Sequence, residues 1–420
     1  MARGVQIRQR HGIMPVLGGP YVVQSVTDET MRRDARWLDR RDLGRLLEAL
    51  TASGYEVQGP VVRDGAVAFD RIERVEDLPI GWRDEQAPGR YRIEHRGGDG
   101  VFGVVHGPGG LKPHVFAPRE RLLQIEMGDG AGPGSGFRAE PIEPPARRIA
   151  LLGVRACDLA GLAVQDRVFL GDAFPDPWYG RRRAGLFLVA VGCTRSVATC
   201  FCASMDTGPE PRTHYDVSLT ELEAAGGQGA GFVVRAGSPA GRELILGLAL
   251  PPAPHSALER ERSGYDACAA GMTRSLPRDQ VRDLLYANLE HPRWDEVAQR
   301  CLSCGNCTMV CPTCFCHSIR DDPSLDLRRS ERVREWDSCF DLEHSQIHGF
   351  NFRPRIRDRY RQWLVHKLAA WVDQFDRSGC VGCGRCITWC PVGIDLTEEV
   401  AAIGETGPGD APPQADGGAT

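Results

Sequence analysis

Lysine is nearly missing from this chain: Lys112 and Lys367 are the only two among 420 residues, and arginine supplies the rest of the positive charge. The shortage reads as compositional bias of the kind a GC-rich genome imposes, in preference to a phosphate-binding arginine set. A basic excess is missing too. With a net charge of −5 nothing is left over to neutralise a phosphate backbone, so nucleic acid is excluded as a partner. No run of about 18 apolar residues occurs, and the start, MARGVQIRQRHG, has charges but no apolar signal core. A cytoplasmic location without a membrane span is expected. Nucleotide fingerprints are lacking as well: no G-x-G-x-x-G follows a strand, and no G-x-x-x-x-G-K-[ST] appears. The chain therefore shows no site for a dinucleotide or triphosphate, and no hydride chemistry of its own.

Cysteine is what the chain has in excess. Sixteen are present, and half of them fall into two runs of one design. Cys301, Cys304, Cys307 and Cys311 stand at C-x2-C-x2-C-x3-C spacing before Pro312. Cys380, Cys383, Cys386 and Cys390 repeat it before Pro391. This is the bacterial-ferredoxin spacing for [4Fe–4S] clusters. Three thiolates must meet three iron corners of one cubane, so the loop has to curl tightly, and Gly305, Gly382 and Gly384 give it the freedom to do so. The proline then ends the loop and turns the fourth cysteine towards a neighbouring cluster. Two complete copies point to two [4Fe–4S] clusters rather than structural zinc, and to metal chemistry rather than a disulfide framework. With crossed ligation, Cys301, Cys304, Cys307 and Cys390 hold one cluster, and Cys380, Cys383, Cys386 and Cys311 the other. Simple sequential ligation is the alternative.

At 420 residues there is room for two or three domains. The expected fold is α+β, with three parts. An N-terminal mixed α/β domain spans residues 1–275, a C-terminal helical ferredoxin-type domain for the two clusters spans 276–402, and a disordered tail covers 403–420. Residues 1–30 show little pattern, and GDGAGPGSG at 128–136 reads as loop. Leu43, Leu46, Leu47 and Leu50 recur at helical spacing, with Gly54 as a C-terminal stop. Asp64-Gly65 between apolar runs marks a hairpin. Residues 149–154 and 186–191 read as buried strands, the first leading into a helix to about Phe169 that Asp158 can cap. Residues 240–250 read as a helix. Helices are expected to connect the two cysteine runs, chiefly over Ile356–Phe375 with Tyr360, Trp363, Leu364, Leu368 and Trp371 on one face. In this the C-terminal part resembles the helical ferredoxin domain of fumarate reductase and heterodisulfide reductase subunits.

Other thiols are candidates of less certain kind. Cys157 and Cys193 follow the two buried strands, where ligands gather in open α/β sheets. With Cys200 and Cys202 they make four thiols for a possible third iron–sulfur cluster, zinc or buried free thiols being the alternatives. Thr-Cys-Phe-Cys occurs at 199–202 and again at 313–316. Cys314 and Cys316 can shield a cluster without ligating it, and Cys339 can join them. Cys268 has no partner in sequence and reads as structural. His344 and His348, four apart, lack a further ligand and read as surface helix polarity.

Several stretches carry a family resemblance. DLPIGWRDEQAPGRY at 77–91, GVRACDLAGLAVQDRVFL at 153–170, TCFCASMDTGP at 199–209 and HYDVSLTEL at 214–222 precede the two runs, CLSCGNCTMVCPTCFC and CVGCGRCITWCPVGID. Together they resemble the beta (iron–sulfur) subunit of cytoplasmic NAD(P)-linked [NiFe] hydrogenases, the sulfhydrogenases, and the related A subunit of anaerobic sulfite reductase. The resemblance implies an electron-transfer subunit without catalysis of its own. Its partners would be [NiFe] hydrogenase large and small subunits and a FAD/NAD(P)-binding subunit. In the sulfite reductase alternative it would feed a sirohaem subunit. A subunit that reduces sulfur or polysulfide through activated N-terminal thiols, and an assembly scaffold with purely structural clusters, are the readings of other classes.

Overall fold

The leucine stripe forms the helix Leu43–Ala52 and buries Leu43, Leu46, Leu47 and Leu50 behind strand β1 (Arg36–Asp39). These elements belong to a computed structural model that describes residues 34–128, 136–171 and 174–405. The expected lead-in and most of the 128–136 loop lie outside the described residues. Asp64 and Gly65, with φ of 51° and 74°, turn β2 (Glu56–Arg63) back on β3 (Ala66–Arg71) as the Asp-Gly signal demands. A second hairpin, β4 (Trp82–Ala87) with β5 (Arg90–His95), stands apart.

The centre of the N-terminal part is a seven-stranded mixed sheet in the order β1-β11-β10-β9-β8-β2-β3. Before its strands continue, the chain makes β6 (Arg119–Met127) and β7 (Phe137–Pro141) of another sheet. Then come β8 (Ile149–Val154), β9 (Leu186–Val191), β10 (Val217–Leu222) and β11 (Gly231–Ala236). Strands β2, β8, β9 and β10 run parallel, β3 and β11 pair antiparallel to them on either side, and the edge strand β1 pairs antiparallel to β11. The six residues of β8 are all buried, as expected for a parallel strand covered on both faces. Ala150 and Leu152 face the helices Leu43–Ala52 and Pro239–Leu248. Ile149, Leu151 and Val154 face the helix Ala156–Leu170. The helix His255–Ala270, which the Pro251–Pro254 stretch obscures in sequence, packs on β10 and β11.

In the C-terminal part, the helices Val281–Ala287, Arg293–Arg300, Ile356–Val365 and Leu396–Glu405 surround a core of Trp294, Tyr360, Trp363, Leu364, Leu368 and Val400. The apolar face over 356–375 is real, but a π turn at His366–Ala370 interrupts it before the helix Trp371–Phe375. Helices do not fill the whole interval. Residues 317–336 form β12 (His317–Pro323) and β13 (Arg329–Trp336), and β13 pairs with β6 in a sheet ordered β12-β13-β6-β7. The hairpin has almost no apolar alternation. Cross-strand ion pairs line it instead, Arg332 with Asp321, Arg121 with Glu331 and Arg119 with Asp322. A reading built on hydrophobic period could not see it, and the sheet joins residues on both sides of position 275. The last helix reaches Glu405 and buries Ile403, so order continues past the expected start of the tail. Residues 406–420 lie outside the described residues.

Candidate iron–sulfur centres

Both cysteine runs take one local shape. Gly305 and Gly384 have φ of 75° and 74°, and each precedes a single helical turn, Asn306–Met309 and Arg385–Thr388. Backbone amides point at sulfur in both: Ser303 N to Cys301 Sγ at 3.4 Å, Gly382 N to Cys380 Sγ at 3.5 Å and Ile394 N to Cys390 Sγ at 3.3 Å. Such donors steady thiolates that carry iron.

The eight thiols stand close together, and thiols of each run neighbour thiols of the other. Cys301, Cys304, Cys307, Cys386 and Cys390 line one apolar hollow with Phe340, Tyr360 and Trp363. Burial pushes the Cys307 thiol far above its ordinary value, and the charges of Cys301, Cys390 and Cys304 add to it. Burial likewise pushes Cys380 up to about 12, with Cys383 and Cys311 as its thiol neighbours. Cys386 is raised far by burial and by the charges of Cys383, Cys380, Cys311 and Cys307. Thiols so buried and mutually repelling are held as thiolates only when a metal group neutralises them, which is what such a donor set fits.

Both lysines of the chain reach this region. Lys367, in the π turn, places Nζ 3.3 Å from Cys311 Sγ, 3.6 Å from Cys314 Sγ and 3.0 Å from Thr313 Oγ1. Burial alone would lower its ammonium, but the Cys311 and Cys314 charges outweigh burial and hold it well above the usual lysine value. A hydrogen bond from Cys314 and the charge of Lys367 in turn pull Cys311 well down, against burial. Lys112 lies 3.8 Å over the Trp336 ring and donates to Thr308 O at 3.2 Å. Compositional bias accounts for the missing lysines and not for the two that remain. Their spacing in sequence gave no signal of this convergence.

The N-terminal thiols also converge. Cys157, on the first turn of the helix Ala156–Leu170, and Cys193, just past β9, line one small pocket with Cys200, Cys202, Cys268 and Cys383. Cys268 reaches it from the helix His255–Ala270, contrary to the expectation of an isolated structural thiol. Nothing in sequence links it to a thiol 66 residues earlier. Burial pushes Cys200 up to about 12, and burial with the Cys193 charge does the same to Cys268. Cys157 packs on Val381 and Cys383. Among the described residues no three His, Cys, Asp or Glu side chains are arranged to hold a single metal ion. A cavity of about 900 Å³, walled by Arg83, Arg155, Arg195 and several glycines, opens on Cys193.

The 199–202 loop presses on the second run. Phe201 N donates to Gly382 O at 2.9 Å, Thr199 Oγ1 meets Thr388 Oγ1 at 2.8 Å, and Thr207 Oγ1 donates to Val381 O at 2.7 Å. A Cβ on Gly382 would come within 2.7 Å of the Cys202 backbone. Arg385, between Cys383 and Cys386, is fully buried against Asp158 at 2.9 Å and donates from Nε to Gly107 O at 3.1 Å. Asp158 also accepts from Arg155 N, so it serves the helix start as expected and anchors the second run besides. His106 Nε2 lies 2.8 Å from Cys383 O.

Three residues beyond the first run form a further group. Cys316 neighbours Cys339 and the His344 ring, and His344 Nδ1 is 2.8 Å from Asp337 Oδ2. The reading of His344 as surface helix polarity is thereby corrected. It lies half-buried in a 3-10 turn, and His348 sits in a separate turn with φ of 51°.

The same stretches match known proteins. Residues 300–394 match a 4Fe-4S dicluster domain, and residues 264–315 match a second model of that description. The Sulfhydrogenase 2 subunit beta of Pyrococcus furiosus is 29% identical over 353 residues, covering 83% of this chain and 92% of the relative. No solved structure gives a significant match. The C-terminal region is thus an iron–sulfur domain of the dicluster type within a mixed helix-and-strand fold. No helix among the described residues is long and apolar enough to cross a membrane.

Proposed function

We propose that this chain, an iron–sulfur protein similar to a sulfhydrogenase beta subunit, relays single electrons within a hydrogenase-type complex. Bound [4Fe–4S] clusters supply the one-electron capacity. Cys301, Cys304, Cys307 and Cys390 hold the first, and Cys311, Cys380, Cys383 and Cys386 the second. What supports this assignment is that Cys390 lines the hollow of Cys301, Cys304 and Cys307, which Cys386 also borders, while Cys311 neighbours Cys380 and Cys386. Cys193, Cys200, Cys202 and Cys268, with Cys157 lining the same pocket, form a third iron–sulfur site. Its support is the pocket these thiols share against Cys383. The three sites then make one path from the carboxyl end of the N-terminal sheet, through the second run, to the first. The partners are the [NiFe] hydrogenase subunits and a FAD/NAD(P)-binding subunit in the cytoplasm.

Two experiments test this. In a Cys311→Ser variant of the full chain, crossed ligation requires the EPR signal of the Cys380, Cys383 and Cys386 cluster to change, and a change confined to the other signal refutes it. In the intact complex, hydrogen or NAD(P)H should reduce the clusters of this chain. Clusters that stay oxidised while the complex turns over would rule the relay out.

A further inference from the structure

The thiols outside the cluster assignments are not scattered. Cys316 directly precedes β12 and Cys339 follows β13, so the pairing of His317 opposite Trp336 brings the two ends together. Asp337 N donates to Cys316 O at 2.9 Å and fixes that corner. The two thiols lie side by side at that corner, each within reach of the other's charge. The His344 ring neighbours Cys316, and Asp337 orients that ring at 2.8 Å. A cysteine beside a histidine that a carboxylate orients is the arrangement that keeps a thiolate reactive at neutral pH. Cys339 in turn senses the Cys307 charge and packs on the core that carries Cys301, Cys307 and Cys390. The pair therefore stands between a nucleophile-activating couple and the first iron–sulfur centre.

We propose that Cys316 and Cys339 form a redox-active dithiol–disulfide couple that exchanges electrons with the adjacent first centre, with His344 and Asp337 as positioning residues for Cys316. The balance is simple. The Cys316 thiolate and the Cys339 thiol together give up two electrons, one to each oxidised cluster, the S–S bond forms, and the Cys339 proton leaves. In the other direction two electrons arrive singly, the S–S bond breaks, and Cys339 takes a proton while Cys316 remains a thiolate. The couple would thus join one-electron carriers to two-electron thiol chemistry. The contacts with Cys339 and His344 lower the Cys316 thiol and outweigh its burial, while the same contacts raise Cys339 and His344. This division of labour suits a nucleophile and its resolving thiol. The inference rests on the relay reading only for the source of the electrons.

The test uses the full-length, cluster-loaded protein poised anaerobically by chemical mediators over a range of potentials, then alkylated with N-ethylmaleimide, digested and weighed. A peptide linking Cys316 to Cys339 should appear at the oxidising end and give way to two alkylated cysteines, with a two-electron slope. In the reduced protein Cys316 should alkylate at least roughly tenfold faster than Cys339. His344→Gln should remove that advantage while iron content and cluster spectrum stay unchanged. Absence of the linked peptide at every potential overturns the proposal. So does loss of iron in Cys316→Ser or Cys339→Ser, which would make these thiols ligands, and so does stoichiometric zinc that Cys339→Ser releases. Because mediators set the potential, failure of hydrogen-driven reduction would refute the relay and leave this couple standing.

Discussion

Replacing Lys367 by methionine should lower the reduction potential of one cluster and leave the other nearly unchanged. The buried ammonium lies 3.3 Å from Cys311 Sγ, and its charge partners include Cys380 and Cys386. With crossed ligation all three thiols belong to the second cluster. A cation favours the form that has gained an electron, so removing it makes reduction harder. Taking roughly 6 Å between the ammonium and the added electron and an effective dielectric near 20, the interaction is about 2.8 kcal/mol, or ~120 mV for one electron. Methionine keeps the apolar stem and volume, so the packing of the π turn changes little. The assay is an EPR-monitored redox titration of the full chain, with iron content confirming that both clusters are present. A shift under about 20 mV, an upward shift, or a shift confined to the cluster of Cys301, Cys304 and Cys307 would refute the reasoning.

The buried ion pair between Arg385 and Asp158 carries a second test. Asp158→Ala leaves an uncompensated guanidinium and should cost about 3–5 kcal/mol, whereas Asp158→Leu with Arg385→Met should recover most of that in chemical denaturation followed by cluster absorbance. Gly384→Ala should dislodge the 199–202 loop, since φ is +74° and the new Cβ would meet Thr199 O. Faster proteolysis of that loop, at a cost of roughly 1–3 kcal/mol in stability, is the expected readout. Burial lowers His114 from 6.5 to about 4. Its neutral form therefore supports the fold fully above pH 6.5, and that support is lost as pH falls from 6.5 towards 4, with a slope of up to about 1.4 kcal/mol per pH unit. His114→Gln should flatten that part of an acid-unfolding curve.

What could be read without a structure was chemistry written into short spacings. Cys301 to Cys311 and Cys380 to Cys390 announce their cubanes because three ligands must come from one tight loop, and a loop is local. The helix at 43–52, the Asp64-Gly65 turn and the buried strands at 149–154 and 186–191 were legible for the same reason, since periodicity and turn residues act over a few positions. The exchange of Cys311 and Cys390 between runs is an expectation that spacing alone cannot decide, because 68 residues separate the two runs and ligation depends on how they pack. Tertiary structure alone brought Cys268 to Cys193, His344 to Cys316, and the two lone lysines to one set of sulfurs. It also hid a strand pair at 317–336 whose cross-strand bonds are between charges and leave no apolar rhythm. Local spacing determined which atoms can hold iron. Long-range packing decided which of them stand together, because desolvation and charge depend on neighbours that sequence distance does not record.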